Sequence, residues 1–266
     1  MCRRYFIASV AIMLIITSLA FAQVDKIAIF YEQVGWIAAD PAKKAGDAIV
    51  KGVTKGVNNI KVYNDADIGA FAKANTKDGD FDIIVTFGYF PVSLYKPGNA
   101  EKDGSLAENF LNGGDMILNT ADYIFYVTQG GGANGDTGLK NITNSNFDCW
   151  TDGTTCKPTA DGKKYAPSLP ASFTAPRCLK KDQIQASTDW VVEMIFADNG
   201  ANNMDPVIIR NKKTGGRVGI AFQVADDSQP RDKVLPEIIQ NYIVANVTAV
   251  KPAEKATATW GQIKGF

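Results

Sequence analysis

The feature that most constrains the fold is a repeated alternation, along residues 26–118, of short apolar runs with amphipathic segments. The first run, residues 26–31 (KIAIFY), is almost continuously apolar, which is typical of strands buried on both faces. Asp40 and Pro41 then supply an N-cap and a first helical residue for a helix to about residue 53. The alternation predicts a mostly parallel sheet covered by helices on both faces and joined by right-handed crossovers.

The same reasoning places the remaining elements. We expect strands at residues 60–63, 81–87, 116–118, 190–196, 206–209 and 217–224, and helices at residues 66–74, 105–111 and 231–247. Residues 144–186 lose this pattern and are rich in Asp, Gly, Thr, Pro and Lys, so we interpret them as an excursion from the sheet. The predicted organisation is one α/β domain over residues 23–247, followed by a flexible tail at residues 248–266.

The chain contains no histidine, which excludes whole classes of site. Without imidazole it cannot form a Ser-His-Asp triad, a Cys-His dyad, a histidine-ligated zinc or haem site, or a histidine pH switch. Its 28 basic and 28 acidic side chains balance, so no global charge favours nucleic acid or anionic lipid. We therefore expect no nucleic-acid partner, and any catalysis would have to use carboxylates, Lys, Tyr, Ser, Thr or Cys.

Residues 1–22 have the organisation of a signal peptide. Arg3 and Arg4 precede an apolar run at residues 5–19, and Ala20-Phe21-Ala22 supplies the small-x-small pattern that signal peptidase cuts. The alternative is an uncleaved membrane anchor, but the apolar run is short for a bilayer core of about 30 Å. The sequence thus predicts a secreted or periplasmic protein with no stable membrane span once the leader is removed.

Three cysteines remain after the leader, and exported proteins usually have their cysteines paired in disulfide bonds. Cys149 and Cys156 would close a short loop in which Gly153 permits the chain reversal, whereas Cys156 and Cys178 would close a longer one. The sequence leaves both disulfide pairings open. The third thiol has no neighbouring base or helix N-terminus to lower its pKa, so we expect an unreactive cysteine rather than a nucleophile.

Ligand sites in parallel α/β folds lie beyond the carboxyl ends of the strands. Aromatic residues fall at several of these predicted ends, where their faces can stack on sugars or apolar ligands. The segment at residues 130–135 (GGGANG) matches G-x-G-x-x-G, but it lies mid-chain, unlike a dinucleotide-binding turn. We interpret it as a loop that binds phosphate or another polar ligand, or as a mobile loop. The expected ligand-binding residues are Tyr31, Trp36, Tyr89, Asn119, Thr120, Asp122, Gly131, Gly132, Asn134 and Asp136.

Three aspartates, Asp115, Asp122 and Asp136, fall in or beside the same region. Two carboxylates about 5–10 Å apart can hydrolyse glycosides, so an extracellular glycan hydrolase is the main catalytic alternative. Calcium binding at residues 226–227 or 148–152 is another alternative, although neither stretch has the ligand spacing of an EF-hand loop. We expect no metal and no cofactor.

Four segments carry a resemblance to a known family: residues 81–88 (FDIIVTFG), 113–118 (GGDMIL), 206–210 (PVIIR) and 215–218 (GGRV), followed by a closing helix. They resemble the class I glutamine amidotransferase-like superfamily, most closely its trehalose-utilisation type. The resemblance spans about residues 26–247 and implies a three-layer, flavodoxin-like α/β fold. Active members place a cysteine at a tight turn after a central strand, with a histidine and an acid further on.

This chain departs from that pattern at the turn itself. Its central strand runs into Leu118-Asn119-Thr120-Ala121, which supplies no thiol, and no histidine exists to assist one. The resemblance therefore implies a scaffold without the ammonia-releasing machinery, and a shared fold does not carry function across that gap. Our leading hypothesis is an exported, non-catalytic domain that binds a polar small molecule, a carbohydrate or a partner protein at its strand ends. The alternatives are the glycan hydrolase and an envelope interaction module in which the excursion and the tail dock a protein partner.

Overall fold

The computed structural model describes residues 24–129, 132–151 and 153–247. The predicted leader (residues 1–22), the predicted tail (residues 248–266) and Gly131 of the expected site lie outside the described residues. No helix in the described ranges combines the length and the apolar character needed to cross a membrane.

Within these ranges, twelve strands form two sheets. The strands are β1 (Val24–Phe30), β2 (Val57–Val62), β3 (Phe81–Phe87), β4 (Met116–Thr120), β5 (Thr155–Pro158), β6 (Phe173–Thr174), β7 (Leu179–Lys180), β8 (Trp190–Ile195), β9 (Ala197–Asp198), β10 (Asn203–Met204), β11 (Val207–Asn211) and β12 (Arg217–Ala221). The larger sheet has the order β2-β1-β3-β4-β12-β11-β8, and the smaller one the order β6-β5-β9-β10-β7.

Five neighbouring strands of the larger sheet, from β2 to β12, run parallel, while β11 pairs antiparallel with both β12 and β8. Every residue of β3 and β4 is buried, which explains why these strands are almost continuously apolar in sequence. Because the parallel strands share one direction, their last residues lie together at what we call the carboxyl edge of the sheet. The predicted α/β class is confirmed.

The helices predicted from Asp40 to about residue 53 and at residues 66–74 and 105–111 are present within one or two residues of those bounds, and three further helices, at residues 136–143, 160–165 and 181–186, were not predicted. The helices are α1 (Ala39–Gly52), α2 (Asp65–Asn75), α3 (Leu106–Asn112), α4 (Asp136–Thr143), α5 (Ala160–Tyr165), α6 (Lys181–Ala186), α7 (Arg231–Glu237) and α8 (Val244–Asn246), with a 3₁₀ turn at Pro97–Asn99. The predicted helix at residues 231–247 is divided, because a π-helical stretch, Ile238–Ile243, separates α7 from α8. Pro236, which lacks a backbone N–H, lies just before that stretch.

The side chains of β1 alternate between two hydrophobic clusters, as the pleat of a strand requires. Ile29 belongs to a cluster that also contains buried residues of α1 and α7. Its neighbour Phe30 belongs to a second cluster, with buried residues of α2 and α3. The alternation in β1 and β3 thus explains why both strands are apolar at successive positions.

The predicted excursion contains regular structure that its local sequence pattern does not show. Residues 144–186 include β5, β6, β7, α5 and α6, and these strands pair with the β9–β10 hairpin to make the smaller sheet. The pairing joins β5 to a strand about 40 residues further along the chain. Strands of two to four residues carry too few positions for a period-two pattern to be recognised.

Candidate functional site

The loops that follow the parallel strands are hydrogen-bonded to one another at the carboxyl edge. The backbone N–H of Gly88, after β3, donates to Thr120 O at 2.8 Å. The N–H of Ala121, after β4, donates to Phe222 O at 3.2 Å, which joins this turn to the loop after β12. These bonds fix the position of the residues that come next along each loop.

Two glycines allow the loops after β1 and β3 to touch. A Cβ atom on Gly88, whose φ is +79°, would lie 2.3 Å from Gly35 O, and one on Gly35 would lie 2.1 Å from a ring carbon of Tyr89. No side chain fits at either position without a shift of the backbone or the ring. The two glycines therefore bring Trp36 and Tyr89 into contact, with their ring centroids 5.2 Å apart.

The loop after β4 adds a third ring. The N–H of Phe90 donates to Val127 O at 2.9 Å, and the N–H of Gln129 donates to Phe90 O at 2.8 Å. This pair of bonds holds the loops after β3 and β4 side by side. Tyr126 consequently lies next to Trp36, with 6.4 Å between ring centroids.

The fourth ring comes from the excursion. Trp150 stacks on Tyr126, with 6.3 Å between centroids and 28° between ring planes, and 47% of Trp150 is exposed. Trp36, Tyr89 and Tyr126 are half-buried. We call these four side chains the aromatic surface, and the buried ring of Tyr123 lies against two of them, Tyr126 and Trp150.

One arginine joins the aromatic surface to the end of β4. The Cζ atom of Arg177 lies 4.1 Å from the centroid of Trp150, and its Nε lies 3.4 Å from Oδ1 of Asp122. The segments carrying the two side chains are tied together, since the N–H of Thr151 donates to Pro176 O at 3.1 Å. Asp122 is buried, so this ion pair lies in a weakly screened environment at the border of the aromatic surface.

Comparison with known proteins finds similarity among solved structures. No protein-family profile matches the chain, and no curated protein is similar to it in sequence. Among solved structures, the chain is similar to one described as a ThuA-like protein from Bacteroides uniformis ATCC 8492. The two share 11% sequence identity, the match covers 89% of this chain and 93% of the other, and the TM-score is 0.46.

Asn119 and Thr120, two residues of the expected site, use their side chains in hydrogen bonds within the chain. Nδ2 of Asn119 donates to Thr86 Oγ1 at 2.8 Å, and Oδ1 of Asn119 accepts a bond from Gln223 Nε2 at 2.8 Å. Oγ1 of Thr120 accepts a bond from Arg231 Nε at 2.9 Å. Both side chains are buried, so they build the carboxyl edge rather than face a ligand.

Asn134 has a similar role in the glycine-rich loop. Its Oδ1 accepts a bond from the Gly98 N–H at 2.8 Å, and its Nδ2 donates to Phe125 O at 3.0 Å and to Thr128 Oγ1 at 2.8 Å. The side chain is buried and uses both ends. Gly132, by contrast, is exposed.

Tyr31 lies apart from the aromatic surface. Its hydroxyl donates to Asp47 Oδ1 of α1 at 3.3 Å, and its ring packs edge-on against Phe87. Burial and the nearby carboxylate raise the pKa of this phenol. Among the expected residues, the structure therefore brings together Trp36, Tyr89 and Asp122.

Asp136 reaches the site indirectly, through the buried phenol of Tyr123. That hydroxyl accepts a bond from the Cys149 N–H at 2.8 Å. Burial raises the pKa of Tyr123, and the hydrogen bond with Asp136 acts in the same direction. Tyr123 thus keeps its proton and links α4 to the excursion behind Trp150.

Asp115 does not belong to this site. It comes just before β4, whereas Asp122 follows β4, so the two lie at opposite ends of a five-residue strand. At about 3.3 Å per residue that separation is roughly 16 Å or more, too far for a glycosidase acid pair. The part of the hydrolase hypothesis that uses Asp115 is therefore wrong. Asp122 and Asp136 are the remaining candidate acid pair for a glycan hydrolase.

Backbone strain is concentrated at the carboxyl edge. Trp36, Ala121, Asp122, Phe125 and Phe222 all have φ between +52° and +74°. Such conformations cost non-glycine residues about 1–3 kcal/mol each and persist only where the surroundings enforce them. Clusters of this kind are typical of binding and catalytic sites, and this one coincides with the aromatic surface.

A buried arginine and a buried carboxylate support the loop after β12. Arg231 donates to Phe222 O, Val224 O and Asp226 O, and burial lowers the pKa of its guanidinium to about 10. Asp205 accepts a bond from the Gln223 N–H at 2.7 Å, and burial raises its pKa to about 7.

A wide cavity lies elsewhere, away from the aromatic surface. It encloses about 740 Å³ between the starts of α1 and α7. Four of its charged side chains pair within the chain, Lys43 with Asp47 and Lys44 with Asp232. Its lining carries four acidic and four basic residues, so the net charge gives no preference for a ligand of either sign. In the described ranges, no group of three or more acidic or cysteine side chains is placed to hold a metal ion.

Trp150 and Arg177 were missed as site residues by the sequence reasoning. Tyr126 is one of the aromatic residues that the sequence places at the predicted strand ends, although it was not among the expected ligand-binding residues. Trp150 and Arg177 each stand next to a cysteine, Cys149 and Cys178. Only the return of the excursion to the sheet makes these two positions neighbours of Asp122.

Proposed function

We propose that this chain is an exported, non-catalytic α/β domain that binds a carbohydrate on the aromatic surface. We further propose that it has the three-layer, flavodoxin-like arrangement of the class I glutamine amidotransferase-like superfamily. The parallel order β2-β1-β3-β4-β12 and the two hydrophobic clusters that share β1 and β3 support that arrangement. Export rests on the leader pattern of residues 1–22.

The observation that carries the ligand assignment is the state of the polar groups at the carboxyl edge. Asn119, Thr120 and Asn134 are buried and hydrogen-bonded within the chain. The polar groups of the aromatic surface are in a different state: among the described residues, no hydrogen bond is formed by the indole N–H of Trp36 or Trp150 or by the hydroxyl of Tyr89 or Tyr126.

A saccharide fits this combination of groups. Its C–H faces are apolar enough to pack on aromatic rings, and its hydroxyls can both accept from indole N–H groups and exchange hydrogen bonds with phenols. Asp122 and Arg177 pair with each other at the border of the surface and place charged groups beside it. Pockets for small polar ligands generally combine apolar walls with a few such oriented groups.

The same geometry supports binding without catalysis. The turn after β4 carries Ala121, which has no nucleophile, and the chain has no histidine to act as a base. The carboxylate of Asp122 is engaged in an ion pair with Arg177, with 3.4 Å between Oδ1 and Nε. Both features support a protein that holds a saccharide without cleaving it.

The proposal is tested by titrating the purified protein with neutral mono- and oligosaccharides while following heat of binding and tryptophan fluorescence. We expect one or more to bind, with a loss of affinity of about 10–100-fold in Trp150→Ala, the cost of removing a stacked ring. Tyr126→Phe should lose about 3–10-fold through one hydrogen bond. Tyr31→Phe removes a hydroxyl outside the surface and should bind like the wild type.

Two outcomes would overturn the proposal. One is that no saccharide in the panel binds, and the other is that Trp150→Ala binds as tightly as Tyr31→Phe. The same incubations, examined for shorter products, test the hydrolase alternative. Cleavage that is abolished in Asp122→Asn and Asp136→Asn would establish that alternative in place of simple binding.

A further inference from the structure

We propose that Cys156 and Cys178 form a disulfide, and that this bond fixes Arg177 against Trp150. In the structure the three described cysteines are free thiols. The two Sγ atoms of Cys156 and Cys178 lie 3.8 Å apart, in van der Waals contact, and both residues are completely buried. The inference does not depend on the proposed carbohydrate ligand.

The third cysteine is separated from this pair. Cys149 packs in the hydrophobic cluster that contains α2 and α3, whereas Cys156 and Cys178 pack in the cluster that contains α1 and α7. The backbone N–H of Cys149 is held by Tyr123. Of the two pairings that the sequence left open, this arrangement favours Cys156 with Cys178.

The position of the pair explains its link to Arg177. Cys156 lies in β5 opposite Phe173 of β6, so the chain from Cys156 to Cys178 forms a hairpin that returns to its own start. Arg177 immediately precedes the second cysteine, and the Cys178 N–H donates to Thr151 Oγ1 at 2.9 Å, next to Trp150. A covalent bond here would close the hairpin directly behind the arginine.

Formation of the bond requires an oxidant, and a small-molecule or protein disulfide of an export compartment has the right chemistry. One cysteine thiolate attacks a sulfur of that disulfide and releases one reduced thiol. The second thiolate then attacks the mixed disulfide and releases the other. The protein loses two electrons and two protons, and the oxidant becomes two thiols. Because both sulfurs are buried in the folded chain, the exchange takes place while the protein folds.

The direct test is to refold the full chain in a glutathione redox buffer, block free thiols, and map the cysteine peptides without reduction. The full chain also contains Cys2, so we expect one linked pair, Cys156 with Cys178, and two alkylated cysteines, Cys2 and Cys149. Cys149→Ala should keep the linked pair, and Cys156→Ala should lose it. Four alkylated cysteines, or a bond that includes Cys2 or Cys149, would overturn the pairing.

The effect on Arg177 has its own measurement. Trypsin cleaves after arginine, so the rate of cutting between Arg177 and Cys178 reports how firmly that segment is held. We expect reduction to raise this rate at least about tenfold and to lower the melting temperature by roughly 5–10 °C, as expected for a bond closing a loop of this length. Equal cleavage rates in the oxidised and reduced proteins would refute the proposed fixing of Arg177.

Discussion

The guanidinium of Arg177 stacks on the ring of Trp150, with 4.1 Å between the Cζ atom and the ring centroid. The two residues belong to separate parts of the excursion, and the same guanidinium pairs with Asp122 at the end of β4. One side chain thus connects the excursion to the sheet and forms a border of the aromatic surface. Its removal should affect stability and binding together.

We expect Arg177→Ala to lower the free energy of unfolding by about 1–3 kcal/mol. The variant loses a cation–π contact and leaves the buried Asp122 without its cationic partner. Urea denaturation measures the loss. Arg210→Ala is the matched control, because Arg210 pairs with Glu193 at 3.0 Å near the surface and should cost less than about 1 kcal/mol. Equal losses in the two variants would contradict the role given to Arg177.

Gly88→Ala should disturb the aromatic surface more than a matched glycine substitution. The new Cβ would lie 2.3 Å from Gly35 O, and the residue also has positive φ. Gly98 shares the positive φ, at +69°, but has nothing within 4 Å of an added Cβ. We expect a loss of about 1 kcal/mol for Gly98→Ala and more than about 3 kcal/mol for Gly88→Ala by thermal unfolding. Similar losses would mean that contact with Gly35 does not matter.

The stability of the protein should fall as the pH rises from about 4 to 8. Burial raises the pKa of Asp82 to about 7 and that of Asp115 to about 8, so both are neutral in the fold at pH 5 but ionised when unfolded. A carboxyl group whose pKa is higher in the folded than in the unfolded protein stabilises the fold. This stabilisation is fully present when the pH is below the unfolded pKa, and it is lost as the pH rises through the folded pKa. Asp205, with a pKa of about 7, acts in the same direction.

The Asp115→Asn variant isolates one contribution to this pH dependence. Asparagine keeps the Oδ1 that accepts from the Asp82 N–H at 3.0 Å, but it does not titrate. We expect its denaturation midpoints to depend less steeply on pH between 5 and 8, with Asp103→Asn as an exposed control. A curve parallel to that of the wild type would show that Asp115 is already ionised in the fold.

Arg231→Lys should destabilise the carboxyl edge although it keeps the charge. The guanidinium bonds to Thr120 and to three backbone carbonyls, and an ammonium cannot reproduce that planar fork. We expect a loss of roughly 3 kcal/mol or more, measured by chemical denaturation. A loss below about 1 kcal/mol would mean that charge alone is needed at this position.

The purified protein should release no ammonia from glutamine. The turn after β4 carries Ala121 in place of a thiol, and the chain lacks histidine. Ala121→Cys should remain inactive as well, since the added thiol would have no base to deprotonate it. Glutaminase activity in the unmodified protein would overturn the non-catalytic assignment.

The sequence by itself determined the α/β class and where to look for the site. The apolar runs of β1, β3 and β4 are local signals, because a strand buried on both faces must be apolar at successive positions. Their carboxyl ends could therefore be identified from the chain alone, and with them Trp36, Tyr89 and Asp122.

Tertiary structure decided which side chains at those ends are free to bind a ligand. Local patterns cannot show that the side chains of Asn119 and Asn134 form hydrogen bonds within the chain, because Thr86 and Gly98, which bond to them, lie far away in sequence. Nor can they place Trp150 and Arg177 beside Asp122, since these contacts depend on how the excursion pairs with the β9–β10 hairpin. Hydrophobic periodicity is set by each segment, whereas a loop's path is set by long-range bonds that form only in the folded chain.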